Sequence, residues 1–291
     1  MRDDTTTTLH AMSPVLFNAL VFAGSVAAGC LGALTGLGGG VVVISMLVLG
    51  FGVDLRYAIG ASLVAVIATS TGSAAAYVRE GYTNTRLAML LEVATAAGAI
   101  TGAYVAGFLR SDVIVYVFAA VLFWSAWNAV KGHGVTESRS HEEADPLATR
   151  LGLDSSYPTS NGFVAYRVRN VPGAFVVMLL AGVLSAVVGI GSGVFKVLAM
   201  DRLMHLPFKV STTTSNFMIG VTAAASAGVY LHRGQLEPTL CAPVALGAMA
   251  GALIGTKVLA KAKVPWLRVV FAVTIAVSGV QMVIRAFQGD V

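Results

Sequence analysis

Two ionisable side chains, Glu92 and Lys196, stand inside long apolar stretches of the sequence. Lys196 follows Gly193 by three residues. A cation placed there is costly in lipid, and it lines a cavity or pairs with an anion. Its distance from the segment end near residue 206 argues against snorkelling. Glu92 lies about two turns into an apolar segment that starts near residue 86. An intramembrane carboxylate is a candidate proton carrier. It is also a candidate partner for Lys196 or, in poorer register, for Arg86. Lys257, nearer a segment end, reads as a snorkelling side chain.

Two glycine motifs flank this chemistry: "GLGGG" at 36–40 and "GIGSG" at 189–193. Each ends one apolar stretch and begins another. A helix broken in lipid leaves unpaired N–H and C=O groups, tolerable only where protein, water or a ligand meets them. Glycine permits the turn and lets a ligand approach the backbone. The helix that restarts aims free N–H groups and its positive dipole end at the gap, which suits an anion. Gly36, Gly38, Gly39 and Gly40, with Gly189, Gly191, Ser192 and Gly193, are therefore candidate anion-binding residues. The competing reading is close helix packing, since Gly36/Gly40 and Gly189/Gly193 also fit a small-xxx-small pattern. Packing is the preferred reading for Gly98, Gly102, Gly247, Gly251 and Gly255.

A third polar patch, "STTTSN" at 211–216, opens another apolar segment. Its hydroxyls and amide can cap backbone groups or donate to an anion's oxygens. Thr214, Ser215 and Asn216 are the candidates here, with Ser62 as their counterpart in the first half.

The elements that must position these residues are membrane helices. The chain has 291 residues, of which 56% are hydrophobic and only 11% charged. Its mean hydropathy is +0.80. A soluble domain is about a quarter charged, so soluble classes are excluded. Apolar segments are expected near 14–34, 40–52, 57–78, 86–109, 112–130, 172–190, 194–206, 210–231, 239–260 and 265–287. The two that follow the glycine motifs are short enough to be half-helices. If all ten cross, with both ends outside, thirteen Lys/Arg fall on the cytoplasmic side and five outside, Lys196 set aside. If the two short segments are re-entrant, the division is ten to eight. The positive-inside rule favours ten crossings.

The N-terminal tail, residues 1–13, carries Arg2 with Asp3 and Asp4 and lacks the basic leader of a signal peptide. The Ala27-Ala28-Gly29-Cys30 run is a weak match to a lipoprotein cleavage site, and the continuing apolar sequence argues against it. Cys30 and Cys241 read as small packing residues. A first membrane repeat is expected at 14–130, a polar cytoplasmic linker at 131–171 and a second repeat at 172–291. His133, His141, Glu142 and Glu143 in the linker match no metal-ligand spacing. No metal or cofactor is expected.

The two halves share a register. At an offset of 153 residues Gly36, Gly38 and Gly40 fall on Gly189, Gly191 and Gly193. Ser62 falls on Ser215, Thr69 on Thr222, Ser73 on Ser226, and Gly98 and Gly102 on Gly251 and Gly255. The stretch "YVREG" at 77–81 falls on "YLHRG" at 230–234. An odd number of crossings per half makes the halves inverted across the membrane, a plan of secondary transporters with the substrate at the repeat interface. The expected fold is thus an all-α membrane protein in two inverted repeats with glycine-broken helices between them.

The paired glycine motifs, "GASLVAVIATS" at 60–70, "TTTSNFMIG" at 212–220 and the tandem halves together resemble the sulfite exporter TauE/SafE family. The resemblance covers nearly all of the membrane-embedded chain. It implies transport of a small sulfur-containing or organic anion such as sulfite or sulfoacetate, while the basic cytoplasmic loops and the lack of a targeting segment suit the cytoplasmic (inner) membrane of a bacterium. Ser192 stands where the first motif has Gly39, which leaves the substrate open. The linker is also longer than a compact connection. The expected function is a secondary transporter coupled to a proton gradient or to the membrane potential, with a small anion and the lipid bilayer as partners and no nucleic acid. In that reading Lys196 compensates the anion's charge and Glu92 carries a proton. An anion channel is the alternative. An intramembrane serine protease built on Ser192 would need a nearby base, and His205 and His232 stand at segment ends, so no enzyme is expected.

Overall fold

The computed structural model describes residues 13–36, 38–110, 113–114, 116–117, 120, 145–159, 162–188 and 192–261, with positions 266, 269, 273, 276, 277 and 280 beyond them. The expected segments at 112–130 and 265–287, the His133–His141 region of the linker, and the candidates Gly189 and Gly191 lie wholly or mostly outside the described residues.

Helix α1, Pro14–Thr35, starts on Ser13, whose side chain accepts from the Leu16 N–H, and has Pro14 in its first turn. It ends where Gly36 turns left-handed at φ +77°. After the break come α2, Gly40–Ser45, and a π-helical turn, Met46–Gly50. Helix α3, Leu55–Arg79, is capped by Asp54, and α4, Thr85–Ala106, by Asn84. In the second half, α6, Val171–Val188, precedes α7, Gly193–Leu198, and a π-helical turn, Ala199–Leu203. Helix α8, Phe208–His232, and α9, Pro238–Lys261, complete the described bundle.

Four of these helices, α1, α3, α4 and α9, are long and apolar enough to cross a membrane among the described residues. Twenty-two residues of α-helix span about 33 Å, enough for a hydrocarbon core of about 30 Å. Outward faces remain apolar: Met89, Val93, Ile100 and Tyr104 line one exposed stripe of α4. Helix α8 matches α3 in length, but its first turns hold the polar patch. The helical units 40–50 and 193–203 are eleven residues each, about 16 Å, and neither crosses such a core alone.

The 153-residue register extends to local geometry. Gly39 and Ser192 both adopt left-handed backbone, at φ +75° and +60°. The π-turns occupy matching positions, closed by Val53 N–H to Leu47 O and Leu206 N–H to Met200 O. Tyr77 donates its hydroxyl to Ala33 O, and Tyr230 donates to Ala186 O.

Packing between helices is reciprocal. Helix α1 lies along α9, and α4 lies along α6. A Cβ on Gly98 or Gly102 would collide with the carbonyls of Leu179 or Val183, and a Cβ on Gly251 or Gly255 would collide with those of Val26 or Cys30. These four contacts map onto one another at the same offset. Contacts that exchange in this way are those of a two-fold relation between similar units. The glycines let backbones approach, which is the packing role assigned to them from the sequence.

The linker is more ordered than its composition suggests. Within 131–171 the chain forms a short helix α5, Pro146–Arg150, and an antiparallel hairpin of β1, Ser155–Thr159, and β2, Gly162–Tyr166. Asn84 holds this layer: its Nδ2 donates to Leu153 O at 2.8 Å and to the Tyr166 hydroxyl at 3.2 Å. Arg86 donates to Gly152 O, so it belongs to the linker contact and not to Glu92. Asp145 accepts from the Val171 N–H and ties the linker to the start of α6.

Gly102→Ala should lower the melting temperature of the detergent-solubilised protein, because its Cβ has no room against Val183. Gly228→Ala should hold or raise it, since that helical position has open space around it. Equal melting of the two variants would contradict the close approach.

Candidate functional site

The first break is shaped by both conformation and space. Gly36, Gly38 and Gly39 all have φ between +73° and +77°, a region costly for residues with a Cβ. A Cβ on Gly38 would stand 2.7 Å from Ile219 Cδ1 and 3.0 Å from Val66 Cγ1. One on Gly36 would stand 2.9 Å from Val197 Cγ2 and 3.0 Å from Thr212 O. The break of the first half is thereby pressed against α7 and α8 of the second. Gly40 and Gly193 are the first residues of α2 and α7. In the second break Ser192 is wholly buried, and its carbonyl accepts the Lys196 N–H at 3.0 Å.

Ser215 joins the two breaks. Its hydroxyl oxygen lies 2.8 Å from Gly36 O and 3.4 Å from Gly193 O. The neighbouring Asn216 donates Nδ2 to Ala33 O at 2.8 Å, beside the Tyr77 hydroxyl. That contact fixes the amide orientation, since a carbonyl accepts only from a donor. Asn216 Oδ1 is buried and finds no partner among the described residues. The backbone carbonyl of Asn216 accepts from Ser70 Oγ at 2.6 Å. Thr214 points elsewhere, its hydroxyl accepting from the Asn84 N–H in the α3–α4 turn. Ser62, also buried, donates to Ile59 O in its own helix. Of the candidate donors, Ser215 and Asn216 thus meet at the end of α1, and Thr214 anchors the α3–α4 turn.

Lys196 and Glu92 form one ion pair. Lys196 Nζ donates to Glu92 Oε2 at 3.0 Å and to Thr222 Oγ1 at 2.5 Å. The Thr222 hydroxyl donates to Glu92 Oε1 at 2.5 Å, and the Thr95 hydroxyl lies 3.0 Å from Oε2. The lysine side chain is wholly buried, whereas 11% of the glutamate side chain is exposed. The pair links α4 of the first half to α7 and α8 of the second. Each charge is thus compensated and each carboxylate oxygen hydrogen-bonded, as a buried pair requires. At the offset positions stand Val43, Thr69 and Ala245, with no charge, and there the Thr69 hydroxyl finds no partner among the described residues. The two-fold relation therefore holds for the backbone and not for the charges.

Thr222 and Thr95 are the members of this cluster that reading the sequence misses. Thr222 is visible there as the register mate of Thr69, but nothing in its neighbours marks it as a charge partner.

A family model described as sulfite exporter TauE/SafE matches residues 21–282. The chain belongs to the sulfite exporter TauE/SafE family. It is 26% identical to the probable membrane transporter protein YdhB of Bacillus subtilis (strain 168) over 223 residues, covering 76% of this chain and 82% of that protein. It is also 26% identical to the probable membrane transporter protein YunE of the same organism over 273 residues, 88% of this chain and 93% of the relative. No solved structure matches. The protein is thus a membrane transporter of the TauE/SafE family, and its relatives are named for transport and not for catalysis.

Lys196→Met should destabilise the protein by about 3–5 kcal/mol, because it strands Glu92 in the interior. Adding Glu92→Gln to it should recover most of that loss, since no charge is then left unpaired. Chemical denaturation in detergent checks this, and additive losses from the two changes would contradict a coupled pair.

Proposed function

We propose that this TauE/SafE transporter is a secondary carrier for a small oxyanion or organosulfonate, with sulfite and sulfoacetate as the leading substrates, coupled to a proton gradient or to the membrane potential. The observation that carries the reading is Ser215, which brings the carbonyls of Gly36 and Gly193 to one hydroxyl. Two helix breaks so joined form one locus rather than two packing sites.

The chemistry of that locus favours an anion. Helical units 40–50 and 193–203 both restart there, and a helix start leaves its first N–H groups without intrahelical partners. Their positive ends attract negative charge. In this reading the glycines at 36, 38, 39, 40, 189, 191 and 193, with Ser192, cradle the anionic group. Ser62, Thr214, Ser215 and Asn216 orient it or hold the frame around it. Lys196 supplies positive charge, and Glu92 supplies the proton site. The exchanged packing of α1/α9 with α4/α6 supports two repeats in inverted orientation, with the break locus between them. The charge distribution of the sequence supports an inner-membrane protein with both ends outside.

Proteoliposomes containing the folded protein should take up sulfite or sulfoacetate saturably, faster when a pH gradient is imposed. Flux that does not saturate and ignores the gradient would favour a channel. No flux of either anion would remove the sulfur-anion assignment.

A further inference from the structure

Resting on that carrier reading, we infer that Lys196 serves either Glu92 or the transported anion but never both, so that an anion reaches Lys196 only when Glu92 takes up a proton, and one proton travels with each monovalent anion.

In the present arrangement Lys196 and Glu92 cancel, and the cluster is neutral. An anion added to an intact pair would leave one uncompensated negative charge in a site walled by apolar helices. Interiors of this kind do not hold unpaired charge. If the anion displaces the carboxylate from Lys196 instead, the ionised Glu92 is the group left alone. A proton from solvent on Glu92 removes the excess in either case. Lys196 keeps its own proton throughout: the Lys196–Glu92 ion pair is exchanged for a Lys196–anion pair, and the carboxylate becomes a neutral acid. Net charge in the cluster is zero before and after for a monovalent group.

The threonines make both states satisfiable. With Glu92 ionised, Thr222 and Thr95 donate to its oxygens. A hydroxyl is also an acceptor. Once the ammonium turns toward an anion, Thr222 Oγ1 is released from Lys196 and stands within hydrogen-bond reach of Glu92 to accept from the new carboxylic O–H. The cluster therefore has two complete hydrogen-bond arrangements on one set of side chains. Its counterpart at Val43, Thr69 and Ala245 has neither charge, so a single such switch operates per chain in this pair of positions.

Other charges stand on the elements around the pair. Helix α4 carries Arg86 in its first turn, bound to Gly152 O. The π-turn after α7 carries Asp201 and Arg202, and His205 follows it. Helix α8 carries Lys209 and His232 at its two ends, and α6 has no charged residue. None of these is hydrogen-bonded to Glu92 or Lys196 in the contacts described above.

The test is binding of a monovalent alkanesulfonate, methanesulfonate, to the full-length protein in detergent, in weak buffer with a pH indicator. Its sulfonate stays ionised at every accessible pH and it has no other acidic group, so any proton taken up enters the protein. The wild type should take up about one proton per anion bound, and its affinity should fall about tenfold per pH unit over the range where Glu92 must be protonated. Glu92→Gln should bind with no proton uptake and a flat pH profile, and methanesulfonate should raise its melting temperature more than that of the wild type. Lys196→Met should lose binding. Wild-type binding without proton uptake overturns the switch while leaving an anion carrier in place, and this result needs no variant to fold. Proton uptake that persists in Glu92→Gln also overturns it. If the folded wild type neither binds methanesulfonate nor transports sulfite or sulfoacetate, the sulfur-anion assignment fails and the switch fails with it.

Discussion

Lipid offers no hydrogen bonds, and that constraint organises this molecule. Every interruption of a helix inside the bilayer must find partners within the protein. This chain interrupts two helices at matching positions and then answers each interruption with side chains from elsewhere. The carbonyls at the end of α1 receive Tyr77, Asn216 and Ser215. The carbonyl of Ala186 receives Tyr230. Four of these interactions come from α3 and α8, which are the two long helices facing the breaks. The same rule applied to charge yields the Lys196–Glu92 pair, in which each half supplies what the other cannot leave exposed.

Interlocking of the halves follows from this. A half taken alone would present a broken helix without its caps, because Ser215 and Asn216 belong to the second half and Gly36 and Ala33 to the first. Glycines on α4 and α9 then bring the backbones of the neighbouring helices close enough for the caps to reach. Symmetry gives both halves this architecture, while the charged cluster exists at one of the two equivalent places. The frame is thus repeated, and the charge pair is not.

Much of the frame was legible in the sequence because it rests on residue types with few uses. Left-handed turns favour glycine, so the motif at 36–40 marked its break, and the 153-residue register located its mate. The helix limits followed apolar runs: 57–78 is found as Leu55–Arg79 and 210–231 as Phe208–His232. Pairing of Glu92 with Lys196 was one of the options that their burial allowed. The threonines were not legible, because a threonine in an apolar helix has a local use. Thr71 and Thr101 spend their hydroxyls on carbonyls one turn back, and nothing in the sequence separates them from Thr222. The convergence of Gly36 and Gly193 on Ser215 is a property of the assembled halves, with sequence separations that no local pattern records. The linker hairpin escaped for a different reason: "SSYPT" contains a proline and lacks an alternating apolar face, and Asn84, far away in sequence, docks it through the Tyr166 hydroxyl and Leu153 O.

The central claim is that the two breaks form a single site held by one hydroxyl. Hydrogen–deuterium exchange on the Ser215→Ala variant tests it most directly. Loss of that hydroxyl should speed exchange together in peptides covering 32–46 and 192–204, segments far apart in sequence and on different halves. Faster exchange confined to α8, with both breaks as protected as in the wild type, would contradict the account.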